Sequence, residues 1–157
     1  MSKCNERDLE WKEYDQGETA MCRKELSNAV DAEKLGCSLY ELEADDRSWP
    51  YHYHTANEEA LFVLEGEGMV RLDGEERALE AGDFVVFPAD ESGAHQVVND
   101  GDDRLRYLVM STMNEPDVTV YPKMGKVGVF VGSAPGGREE RDLHGYYPID
   151  ADVGYWE

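Results

Sequence analysis

The chain has 157 residues, 41% of them apolar, which is the size of one domain with a sizeable core. Asp and Glu number 35 against 15 Lys and Arg, a formal charge of −20, and this argues against nucleic acid and anionic membrane surfaces as partners, since both need Lys and Arg. Three cysteines (Cys4, Cys22 and Cys37) are an odd number without CxxC spacing, which argues against a disulfide framework and for a reducing, cytoplasmic setting.

The opening MSKCNERDLEWKEYDQG has no apolar stretch of the secretory kind, and no apolar run approaches the roughly 18 residues of a membrane-spanning helix. Disorder is one reading of so acidic a chain, but short apolar strands with a period of two recur between residues 37 and 131. The acid is then a solvated coat, of the kind that salt-adapted proteins carry.

In chain order, residues 1–35 are mixed. Leu9, Trp11 and Tyr14 are candidates to open a short strand, and residues 21–26 read as a strand or a turn of helix. This segment is expected to be an arm that packs on the core or on a partner subunit. From residue 36 the pattern is β. Strands are expected at 37–42, 51–54, 60–64, 69–72, 76–79, 84–87, 94–98, 105–112, 118–121 and 127–131. Turn signals separate them: Glu65-Gly66-Glu67-Gly68, Asp73-Gly74, Ala81-Gly82-Asp83 and Asn99-Asp100-Gly101-Asp102. Asp73-Gly74 is a two-residue hairpin signal, because this pair tolerates the positive φ angles of a type I′ turn. Many short strands at this spacing indicate an all-β sandwich or barrel over residues 36–132. Residues 133–157 read as a linker, Ser133-Ala134-Pro135-Gly136-Gly137, and an aromatic tail that docks over an apolar surface.

Within the β region lies one chemical constellation. His52 and His54 are separated by one residue, so on a strand both imidazoles share a face. Glu59 follows at the start of the next strand, and a turn through Thr55-Ala56-Asn57 would bring it back beside them. His95 comes later on another short strand. Imidazoles with a carboxylate suit Fe²⁺, Mn²⁺, Ni²⁺, Zn²⁺ or Cu²⁺ without separating them.

Residues 46–99 resemble the cupin superfamily. Its first motif runs Gly-x5-His-x-His-x3-4-Glu-x6-Gly, and His52, His54, Glu59 and Gly66 fit it. Its second runs Gly-x5-Pro-x-Gly-x2-His-x3-Asn, and Gly82, Pro88, His95 and Asn99 fit it. The 15 residues between Gly66 and Gly82 match the short inter-motif loop of small microbial cupins. Three departures stand out. Asp46 replaces the first glycine of motif one, Asp90 replaces the inner glycine of motif two, and six residues separate Pro88 from His95 in place of four. Gly93, inside that longer loop, is the candidate to restore the missing backbone freedom.

The resemblance implies a double-stranded β-helix, or jelly-roll, with one divalent metal inside the barrel. His52, His54, Glu59 and His95 would be its ligands. Glu58 fits the looser spacing, but Glu59 keeps the six-residue gap to Gly66. The resemblance also implies a homodimer. Leu61 and Val63 share the Glu59 face and are expected to wall the cavity, with Val97 beside His95. Tyr51 and Tyr53 are expected to face away from it. Met69, Arg71, Phe87 and Met110 are open as to side, and Arg71 is a candidate anchor for an anionic substrate if it faces inward. His144, beyond the barrel, is expected to pack or to lie on the surface. The family hosts many chemistries. The leading expectation is a metal-dependent enzyme on a small polar or carboxylate-bearing molecule. The alternative is a module that binds or senses a small ligand without turnover.

Overall fold

The structure is a computed structural model that describes residues 2–157. Its strands are β1 (Lys12–Gln16), β2 (Thr19–Glu25), β3 (Leu35–Leu42), β4 (Tyr53–His54), β5 (Glu59–Glu65), β6 (Glu67–Leu72) and β7 (Glu75–Glu80). They continue as β8 (Phe84–Phe87), β9 (His95–Val98), β10 (Leu105–Thr112), β11 (Asp117–Tyr121), β12 (Lys126–Val131) and β13 (Leu143–Pro148). Among the described residues there is no α-helix, only single 3₁₀ turns, so no helix is long and apolar enough to cross a membrane. Every strand expected from the sequence is present, within two residues at most ends.

The strands form three antiparallel sheets, in the orders β1-β2-β3-β10-β5-β8, β13-β12-β11-β4 and β7-β6-β9. Alternation within single strands explains how they close on one interior. In β5, Leu61 and Val63 are fully buried while Phe62 and Leu64 face out. In β10, Leu105 and Tyr107 face in, and Tyr107 stacks on Tyr40 of β3 at 5.4 Å between ring centroids. Leu42, Val70, Leu79, Phe87 and Val97 complete the core, and each such side chain contributes about 1.5–3 kcal/mol by leaving water. The β6–β7 hairpin turns at Asp73 (φ 51°) and Gly74 (φ 77°), the positive-φ pair that a type I′ turn demands.

Both ends of the chain hold more strand than the sequence suggests. The N-terminal arm is a hairpin, β1 with β2, that adds to β3 of the same chain through pairs such as Arg23 with Tyr40. Beyond the barrel, Arg141 donates to the Ser133 and Ala134 carbonyls at 2.8 and 2.9 Å and folds the Pro-Gly stretch back. Residues 143–148 then pair along β12. The aromatic tail divides there. Tyr146 packs against Tyr121 and Phe130, whereas Tyr155 and Trp156 are 87% and 91% exposed and touch each other. The expected docking of the last aromatics is thus corrected: the ladder on β12 stops at Pro148, which has no N–H to donate.

Candidate metal centre

The His-x-His segment crosses the interior because backbone bonds tie it on both sides. Thr119 and Val120 of β11 pair with His54 and Tyr53. His52 exchanges N–H···O bonds with His95 at 3.2 and 2.9 Å. Both motifs are therefore joined at their histidines. The turn from His54 to Glu59 is fixed by buried Asn57, whose Oδ1 accepts from the Asn114 N–H (2.7 Å) and the Thr112 hydroxyl (3.0 Å). This hold delivers Glu59 inward and leaves Glu58 exposed. Tyr51 faces away and accepts from the Gly74 N–H, and Lys123 lies over its ring.

His52, His54 and Glu59 each bring a ligand atom to within 4.8 Å of the others, a cluster compatible with a metal ion. His95 adjoins it, with Nε2 3.3 Å from the same Glu59 oxygen that lies 3.4 Å from His54 Nε2. All three imidazoles are buried, at 7% exposure each. Their outer nitrogens are all used. Nδ1–H of His52 donates to the Pro50 carbonyl (2.7 Å), that of His95 to the Gly93 carbonyl (2.8 Å) and that of His54 to Asp117 Oδ2 (2.8 Å). A carbonyl can only accept, so these bonds place the proton on Nδ1 and turn Nε2 toward the cluster. A donor set of this kind fits a divalent transition metal, with the outer bonds fixing tautomer and ring plane.

The electrostatics follow from the same contacts. Burial, then His95 and His54, pull His52 down to about 3. Burial likewise lowers His95, against the pull of Glu59. For His54 burial works downward, but Glu59 and Asp117 outweigh it and carry the imidazole up to about 10. Burial pushes Glu59 up, yet His54 and then His95 and His52 hold it far below the usual carboxylate range. The cluster thus sets two buried carboxylates, Glu59 and Asp117, against one imidazolium, and the excess negative charge favours a cation.

Asp117 is the functional residue that the sequence reading missed. It is fully buried. Its Oδ1 accepts from the Ala56 N–H at 2.9 Å, and its Oδ2 accepts from the Thr119 hydroxyl at 3.0 Å. It therefore braces both His54 and the turn to Glu59. Its signal was the alternation Asp117-x-Thr119-x-Tyr121, a carboxylate and two hydroxyls on one strand face. Asp117→Asn keeps the shape and removes the charge, and is expected to weaken metal affinity about 10–100-fold in a competition titration with a chromophoric chelator, with the far-UV spectrum unchanged.

The cluster lies in a cavity of about 290 Å³. Leu61, Val97 and Phe87 wall it, and the Phe87 ring stacks on His95 at 3.7 Å. Val63 is buried in the adjoining core. Tyr40, Trp49, Tyr107 and Tyr121 also line the cavity. Arg71 lies outside it and donates to Gln96 and Glu76, so it is no substrate anchor here. His144 Nδ1–H donates to the Val129 carbonyl, and the ring packs on Phe130.

The departures from the motifs have local explanations. Asp46 Oδ2 accepts from the Glu43 N–H at 3.1 Å and closes the turn, while Asp45 takes the positive φ of 70°. The two extra residues before His95 coil into the 3₁₀ turn Glu91–Gly93, capped by Asp90. Asn99 is a tie: its Nδ2 donates to the Leu42 and Asp103 carbonyls at 2.9 Å.

Comparison with known proteins agrees with this arrangement. The sequence profile of the cupin domain matches residues 38–111. No curated protein matches the chain. Among solved structures, one from Acidithiobacillus ferrooxidans, provisionally named a sugar phosphate isomerase, is 29% identical with a TM-score of 0.73, over 86% of this chain and 81% of that one. A cupin-superfamily protein of Silicibacter pomeroyi, named a sugar phosphate isomerase, shares the fold at 24% identity and TM-score 0.79, over 95% and 94% of the two chains. A cupin protein of Bacteroides fragilis is 26% identical with a TM-score of 0.54, over 65% of this chain and 83% of that one. Residues 38–111, which carry His52, His54, Glu59 and His95, are a cupin 2-like domain.

Proposed function

We propose that the cavity is the active site of a divalent-metal-dependent enzyme whose substrate is a small polar molecule bearing a carboxylate or phosphate, with isomerisation of a sugar phosphate as the reaction. His52, His54, Glu59 and His95 would hold the metal. The observation that carries this reading is the convergence of three Nε2 atoms and one carboxylate at the wall of a cavity, with every Nδ1 already committed to an outer acceptor. When bound, the metal supplies Lewis-acid polarisation of a substrate oxygen.

The chain's own residues support the rest. Leu61, Phe87 and Val97 exclude water on one side of the cluster. Tyr121 lies beside His52, at 5.7 Å between ring centroids, and burial together with Tyr146 raises its pKa, so it stays a protonated donor facing the cavity. The relative that is 29% identical, with its name, supports the isomerase reading over the other cupin chemistries. A strip of exposed Phe62, Leu64, Phe84 and Val86 on the outer face of β5 and β8 supports a homodimer.

The test is proton NMR of metal-loaded protein with a panel of aldose and ketose phosphates in D₂O. The expected result is conversion of at least one aldose phosphate to its ketose, lost in Glu59→Ala. Saturable binding of the panel without conversion would leave a binding module, and no binding would overturn the proposal.

A further inference from the structure

Among the described residues that line the cavity, Glu59 is the only carboxylate and Arg23 the only Lys or Arg. The two lie on β5 and β2, separated by β10 and β3 in one sheet. In a chain of net charge −20, one cation turned inward, away from the acidic surface, requires a reason.

Arg23 is held rigidly. Its side chain is 12% exposed. Nε–H donates to Ser38 Oγ at 3.0 Å, Nη1 lies 3.2 Å from Glu25 Oε1, and the guanidinium sits 5.7 Å from the Tyr40 ring centroid. Glu25 does not cancel its charge, because Lys12 pairs with the other oxygen of that carboxylate. Two cations share one anion, and a full positive charge is left over. Nη2 has no hydrogen-bond partner among the described residues. It lies under the Pro135-Gly136 segment, where a Cβ on Gly136 would come within 3.1 Å of it. Ser38 also lines the cavity, and its Oγ, the acceptor of the Arg23 Nε–H, keeps its own proton to donate.

We infer that Arg23, with the Ser38 hydroxyl beside it, forms the anchoring subsite for the anionic end of the substrate, a carboxylate or phosphate, across β3 and β10 from Glu59. A guanidinium fork with one edge tied to the protein leaves the other edge for an oxyanion. The Ser38 hydroxyl donates to one of the remaining oxygens. Arg23 thereby selects substrates that carry charge at one end and present their uncharged end to the histidines. This rests on the reading of the cavity as the active site.

Calorimetric titration of the full chain, loaded with Mn²⁺, tests it with inorganic phosphate and malonate as separate probes. At least one anion should bind saturably. Arg23→Gln should weaken it about tenfold or more, while Arg71→Gln, outside the cavity, leaves it within about threefold. The preferred probe tells phosphate from carboxylate. Unchanged affinity in Arg23→Gln, an equal loss in Arg71→Gln, or no binding of either probe would overturn the inference. If Arg23→Gln does not fold, crystals of the wild-type chain grown in phosphate decide: an anion within hydrogen-bond reach of the Arg23 guanidinium is expected, and its absence there is the contrary result. A wild-type chain that takes up no metal yet binds phosphate through Arg23 would refute the metalloenzyme reading and leave the subsite standing.

Discussion

Glu59→Ala and His52→Ala are each expected to abolish metal retention. The wild-type chain, purified without chelator, should carry about one transition-metal ion, and each variant less than about a tenth of that by elemental analysis. The reasoning is electrostatic as well as geometric. Glu59 is the only anion among the candidate ligands, and its oxygen lies within 3.4 Å of both His54 and His95. Without it, a dication would meet three neutral imidazoles in a buried site with only Asp117, behind His54, to balance its charge. Burial and the neighbouring imidazoles hold the His52 pKa down at about 3, which keeps its Nε2 free of a proton and open to a metal. Both variants should fold, because Asp117 and Asn57 keep their own partners. Metal retained in both variants, or none taken up by the wild type from Fe²⁺, Mn²⁺, Ni²⁺, Zn²⁺ or Cu²⁺, would sink the ligand assignment.

Gly93→Ala is expected to cost about 3 kcal/mol of stability and to lower the melting temperature by roughly 6–12 °C. A Cβ there would stand 1.9 Å from the Pro88 carbonyl oxygen, with further backbone atoms of Pro88 at 2.9 Å. Backbone cannot swing aside as a flexible side chain can. The turn Glu91–Gly93 must open, and the carbonyl that orients His95 moves with it. Metal affinity should fall along with stability. A control is Gly82→Ala, where φ is +98° but nothing lies within 4 Å. Its penalty is the strained φ alone, about 1 kcal/mol. Thermal unfolding of the two variants side by side separates crowding from conformation. Equal melting temperatures would show that the turn around Gly93 yields freely.

That contrast also marks how far the residues could be read without coordinates. Period-two alternation placed the ten strands of the barrel, because in strands such as β5 one face is buried and the other wet. The His-x-His pair and Glu59 were legible for the same reason. Gly93 was legible as a glycine in the right loop but not in its purpose: it lacks a positive φ and is needed for room, a requirement set by Pro88 folding back over it. Asp117 showed only as a carboxylate alternating with hydroxyls, and its purpose stayed hidden because it meets His54, 63 positions away, across a strand pairing. β13 escaped because Leu143-His144-Gly145-Tyr146-Tyr147-Pro148 is mostly exposed, so burial imposed no alternation on it. Arg71 and Arg23 show the limit most plainly. Both are arginines on strands, and only the course of the sheets decides that Arg71 points out and Arg23 in.

The hairpin of β1 and β2 lies wholly outside the segment 38–111 that matches the cupin profile, yet it furnishes part of the cavity wall. The histidines and their braces up to residue 111 lie inside that segment, while Arg23 reaches the cavity from outside it. Exchange of residues 12–25 between relatives would then retune which molecules are accepted without disturbing the centre that acts on them.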